Sequence, residues 1–156
     1  MFQLEFQFAV YPKRTSEGRA AQSRAGLPVG METRTLQAMV RHESQRQGYR
    51  VYGEDGRQVF KRILAGPRDG YPGYLREFTL EPGANTPYHQ HAWSHLVYVL
   101  EGQGTVRLEG QDHPVQSGSV VHVEGGRTHG FFNQPAGPMR FLCLVPSDGD
   151  SYGPSD

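Results

Sequence analysis

Gly83-Ala-Asn-Thr-Pro-Tyr-His89-Gln-His91-Ala-Trp93-Ser-His95-Leu-Val-Tyr-Val-Leu-Glu101-Gly102 is the stretch on which the reading of this chain turns. Pro82-Gly83 opens it and Gly102-Gln-Gly104 closes it, so a short Val/Leu/Tyr run between turns reads as strand and hairpin rather than helix. In extended chain side chains alternate, which puts His89 and His91 on one face. His95 shares their parity and, after a bend at Ala92-Trp93, can complete the set. A second segment, Gly118 through Gly126 to His129 and Asn133, offers another imidazole about forty residues later. A folded sheet pair can bring it across to the first three. Neutral imidazole is the commonest borderline ligand for divalent transition metals, and no carboxylate or thiolate stands at the matching positions.

Outward from these segments the chain keeps the same habit. Its 156 residues are about one domain long, and 20 glycines and 11 prolines punctuate brief apolar runs. Candidate strands fall at 36–40, 48–52, 58–64, 74–80, 95–100, 105–108, 112–115, 119–123, 128–132 and 139–145, with turn chemistry between nearly all of them. Ten short strands without a helical period predict an all-β jelly roll or small barrel. Ahead of them, Phe2, Leu4, Phe6, Phe8 and Val10 alternate with Gln3, Glu5, Gln7 and Ala9, a strand with one apolar face. Residues 13–30 show neither period and read as a linker. The expected organisation is an N-terminal strand and linker extension over 1–33, a barrel domain over 34–146 and a polar tail over 147–156.

Formal net charge is zero, so no basic stripe recommends nucleic acid or an anionic membrane as partner. No run approaches a membrane-spanning length, and Glu5, Glu17 and Glu32 speak against an export or organellar leader. A single cysteine, Cys143, makes no internal disulfide and fits a reducing, cytoplasmic setting. The amphipathic first strand could add to a neighbour's sheet edge, which makes a homodimer the expected assembly.

The two histidine segments, ordered and spaced as they are, resemble the paired motifs of a small single-domain cupin. Gly83, His89, His91, His95 and Gly102 match the first motif, with His95 where glutamate is usual; Gly118, Gly126, His129 and Asn133 match the second, with Glu124 in place of proline. The resemblance covers roughly residues 36–146 and implies a cupin jelly-roll β-barrel. More narrowly, His-x-His-x-Trp-x-His followed by Val-Leu-Glu-Gly-x-Gly and Phe-Leu-Cys-Leu-Val-Pro is similar to compact prokaryotic cupins whose ion is held by four histidines. That likeness implies His89, His91, His95 and His129 as metal ligands, manganese first and iron next, with zinc, nickel or copper also fitting. It also implies that Phe141 and Cys143 face the cavity, although a small buried hydrophobe is the ordinary reading of a lone cysteine.

Four neutral ligands leave the ion's charge uncompensated, so an anionic or enolate-like substrate would be attracted, and two open positions would suit oxygen chemistry. A closed structural zinc site is disfavoured because such sites more often use cysteines. Trp93 and Phe131 are pocket candidates, with Phe131 favoured by sharing the parity of His129; Tyr88 and Tyr98 are weaker ones, and all four could equally be core. Arg76 and Arg107 are the cations to test against a substrate carboxylate, an ordinary solvated face being the preferred reading. His122, His113 and His42 read as packed or solvated. The function expected is a manganese- or iron-dependent oxidoreductase, a dioxygenase, acting on a small organic molecule. The alternative is a non-catalytic cupin that binds a metal or small ligand.

Overall fold

A computed structural model describes residues 39–52 and 57–153. The strand read at Phe2 to Val10 and the linker at 13–30 lie outside the described residues. So does most of the candidate strand at 36–40, whose last two residues, Met39 and Val40, are exposed and carry no strand. The other nine candidates all form: β1 (Tyr49–Tyr52), β2 (Val59–Ala65), β3 (Gly73–Leu80), β4 (His95–Glu101), β5 (Gln103–Leu108), β6 (Gln111–Gln116), β7 (Val120–Val123), β8 (His129–Asn133) and β9 (Met139–Pro146). Among the described residues two single-turn 3-10 segments, Glu43–Gln45 and Pro67–Asp69, accompany them. Among the described residues no helix is long and apolar enough to cross a membrane.

One sheet runs β1-β2-β3-β9-β4-β7 and the other β6-β5-β8, every pair antiparallel. The second sheet is extended past β8 by isolated bridges from Asn85 to Phe132 and from His89 to His129. This is the all-β jelly roll that the turn spacing predicts. Gly102 shows why its turns need glycine: its φ is 81°, and an added Cβ would meet the Pro138 carbonyl oxygen.

Period-2 alternation sorts each central strand into an inner and an outer face. On the inner faces the residues step through three layers. Leu80, Val99 and Met139, each 0% exposed, pack with Val59 and Val106 at one end. Two residues along each strand, Phe78, Val97, Phe141 and Phe131 form a middle layer, in which Phe78 stacks on Phe141 at 5.3 Å and Phe131 tilts against Phe141 at 4.7 Å. Two residues further come Arg76, His95, Cys143 and His129, all buried and all polar or ionisable. Register keeps β3 and β9 in step, with Arg76 facing Cys143 and Phe78 facing Phe141, and sets β4 one step along, with Val97 facing Cys143 and Val99 facing Phe141. Asn133, at the foot of β8, closes the apolar end. Its Nδ2 lies within hydrogen-bond distance of the carbonyls of Leu80 (2.9 Å), Glu81 (2.8 Å) and Gly137 (2.8 Å), tying two turns together.

Candidate metal centre

The four predicted histidines meet at the polar end. His129 opens β8, and His89 pairs with it across the extended second sheet, each donating its backbone N–H to the other's carbonyl at 3.0 and 2.8 Å. His91 follows with the same parity, its carbonyl accepting from the Gly126 N–H at 2.7 Å. Gly125 allows that approach, because a Cβ there would run into the Ala92 carbonyl. His95 begins β4, opposite Val123. Ring centroids are 5.1 Å apart for His89 and His129, 4.9 Å for His91 and His129, 4.9 Å for His95 and His129, and 4.5 Å for His91 and His95.

The donor set fits a divalent transition metal. One potential ligand nitrogen from each of His89, His91 and His129 lies within 4.8 Å of the others. His95 Nε2 stands 2.6 Å from His91 Nε2. His91 Nδ1 lies 2.9 Å from the Trp93 carbonyl and His129 Nδ1 2.8 Å from that of Arg127. A carbonyl only accepts, so each Nδ1 carries the proton and each Nε2 presents a lone pair. In the His91–His95 pair such a lone pair confronts a second nitrogen at a separation that requires something shared between them, a proton or a cation. Trp93 stacks on the His91 ring at 4.2 Å and fixes its plane.

Electrostatics favour the neutral imidazole at His89, His91 and His95. Burial, followed by the Arg76 charge and the neighbouring rings, pushes the His95 pKa down to about 2. Burial and then His129 lower those of His89 and His91. Desolvation disfavours the imidazolium more than any nearby group stabilises it.

Above the rings lies a cavity of about 150 Å³. Trp93, Phe131, Phe141 and Cys143, the pocket residues expected from sequence, all line it; Tyr88 and Tyr98 do not. Tyr98 is exposed on the outer face, and the Tyr88 hydroxyl accepts from the Gly110 N–H at 2.7 Å. His122, His113 and His42 are exposed, as read.

Arg76 corrects the sequence reading. The solvated face holds for Arg107, which pairs with exposed Asp112, but Arg76 is 6% exposed and points into the cavity. Its parity with Phe78 and Leu80 was the available signal, and the usual preference of arginine for solvent outweighed it. Arg76 Nη2 donates to the Cys143 sulfur at 2.9 Å and lies 3.5 Å from His95 Nδ1, while Nη1 donates to Asp150 at 2.9 Å. The Cys143 sulfur is also 3.2 Å from His95 Nδ1, and burial raises its pKa. Sequence reasoning missed Lys61, whose ammonium donates to Asp150 at 2.6 Å, and Asp150 itself, which the segment after β9 carries back over the cavity. Tyr52 and Thr86 also contribute to the lining.

A family model described as cupin domain matches residues 76–145. Among solved structures, the polyketide cyclase RemF from Streptomyces resistomycificus superimposes with a TM-score of 0.63 at 30% identity, covering 71% of this chain and 80% of that one. Among curated proteins, the chain is 28% identical over 104 residues to 1-methylthio-D-xylulose 5-phosphate methylsulfurylase of Rhodospirillum rubrum, covering 64% of this chain and 66% of that protein. It is 33% identical over 92 residues to the dimethylsulfoniopropionate lyase DddW of Ruegeria pomeroyi, covering 58% of each. The chain thus spans somewhat over half the length of these curated relatives, and their names cover several kinds of chemistry.

Proposed function

From this chain's membership of the cupin family we propose that His89, His91, His95 and His129 together hold one divalent transition metal, manganese first and then iron. In this reading the protein is an oxidoreductase of the dioxygenase kind acting on a small organic molecule. The observation that carries it is the cluster of His89, His91 and His129, one potential ligand nitrogen of each within 4.8 Å of the others, with His95 Nε2 2.6 Å from His91 Nε2 beside it. The ion, when bound, supplies Lewis acidity and one-electron chemistry. The protein contributes orientation through the Nδ1-to-carbonyl bonds of His91 and His129. Phe78, Phe131 and Phe141 form a dry wall, and Arg76 sets a fixed positive charge beside His95.

A second reading is a non-redox lyase or cyclase built on the same ion. It draws on the guanidinium and thiol packed against His95 and on the names of DddW and RemF. Two experiments on protein purified without added metal separate these readings. Elemental analysis is expected to find manganese or iron bound stoichiometrically. Turnover of small carboxylates and enols that consumes dioxygen supports the first reading, and turnover that persists without oxygen supports the second. A metal-loaded protein inert in both atmospheres is instead a binding cupin. A cytoplasmic homodimer belongs to the same proposal, and loss of the dimer on removal of residues 1–30 is its check.

A further inference from the structure

The charge of the cavity wall points to what enters it. Three charged side chains line it, Lys61, Arg76 and Asp150, and all three are largely buried, with side-chain exposures of 12, 7 and 9%. Asp150 is shared. One of its oxygens is 2.6 Å from Lys61 Nζ and the other 2.9 Å from Arg76 Nη1. Two cations against one carboxylate leave a surplus positive charge in a desolvated space, a costly state unless an anion completes it. Arg76 Nε is buried with no hydrogen-bond partner, so the guanidinium retains an unused donor where arginine ordinarily grips a carboxylate with two parallel bonds. The same guanidinium lies 3.5 Å from His95 Nδ1, so an anion held there sits next to the histidine cluster.

We infer that the cavity takes a small organic carboxylate, gripped by Arg76 and Lys61, and that Asp150 occupies part of this anion site as a built-in competitor. The inference deepens the proposed function and rests on it for the histidine cluster as reaction centre. Asp150 arrives on the segment after β9, whose Gly149 packs close to Val145 and Trp93, so a carboxylate from the chain itself bridges the two cations. An incoming carboxylate replaces one or both of its ion-pair contacts. The cavity volume of about 150 Å³ suits a small substrate.

The test uses chelator-stripped full-length protein, so that binding is read without the metal. Malonate is the probe and malonamide, nearly the same shape without charge, the control; calorimetry is the readout. Malonate is expected to bind and malonamide not. Asp150→Asn keeps the volume and removes the competing charge, and should tighten malonate binding by about tenfold. Lys61→Gln and Arg76→Gln should weaken it, Arg76→Gln by about thirtyfold or more, with partial recovery in Arg76→Lys. If Arg76→Gln does not fold, Lys61→Gln and Asp150→Asn still decide the matter. Equal binding of malonamide, or an Asp150→Asn variant that binds malonate no better than the parent, overturns the inference. A protein that fails this test yet holds stoichiometric metal keeps its proposed function; one that passes but never holds metal loses that function and keeps its anion site.

Discussion

The two ends of the barrel are built by the same four strands and have opposite chemistry. At one end Leu80, Val99 and Met139 are sealed hydrocarbon, with Asn133 clamping the turns behind them. At the other, four residues along, stand Arg76, His95, Cys143 and His129. Between them the ring layer of Phe78, Phe131 and Phe141 insulates one from the other. The lesson is that a strand needs no change of geometry to pass from core to site. Its inward parity is constant, and substitution of residue type every second position converts packing into chemistry. If the ring layer truly separates them, stability and metal affinity should respond to different residues, as distant sites without shared partners do.

The sharpest way to break that separation is at the histidines. His91→Ala should lower metal affinity by more than about a hundredfold, beyond what loss of a supporting hydrogen bond costs. The apolar end should stay packed; full metal retention on elemental analysis would contradict the ligand set. Met139→Ala is the converse: the 0% exposed side chain should take about 2–5 kcal/mol of stability with it, read from urea midpoints, while metal content is unchanged. A pH series adds a subtler distinction. His89, His91 and His95 have lowered folded-state pKa values, that of His95 about 2 against an ordinary 6.5. The unfolded chain therefore takes up protons that the folded one refuses. Stability of the metal-free protein is fully present above about pH 6.5 and drains as the pH falls from there through the folded values. Met139→Ala should keep that slope and His95→Ala should flatten it, both measured by denaturation between about pH 7.5 and 5. The smallest effect belongs outside the barrel: His113→Ala and His122→Ala should each stay within about 0.5 kcal/mol of the parent and hold as much metal.

Most of the scaffold was legible because turns and alternation are local signals. Gly83, Gly102, Gly118 and Gly126 all adopt positive φ, so glycine spacing marked the strand ends and parity marked the inner faces. The histidines were legible for the same reason, three of them within seven residues and the fourth at the head of a strand. Arg76 was half legible. It shares the parity of Phe78 and Leu80, yet a charged residue inside a barrel is improbable until its partner is known, and that partner is Asp150, 74 residues away. Asp150 itself sits in a stretch with no period and no motif, and only the three-dimensional return of the chain over the cavity gives it a role. Lys61 was hidden likewise, since the Asp150 carboxylate that holds it comes from 89 residues later.

The paired backbone of His89 and His129 has a consequence for how quickly an ion would load. Their two reciprocal N–H to carbonyl bonds at 3.0 and 2.8 Å hold these two ring-bearing residues in register without any help from a cation. For these two residues chelation would involve little loop ordering, because the sheet has already met the entropy of bringing them together. The slow step becomes the shedding of the ion's own hydration water, so loading rates should follow the exchange lability of the aqua ion rather than any folding event.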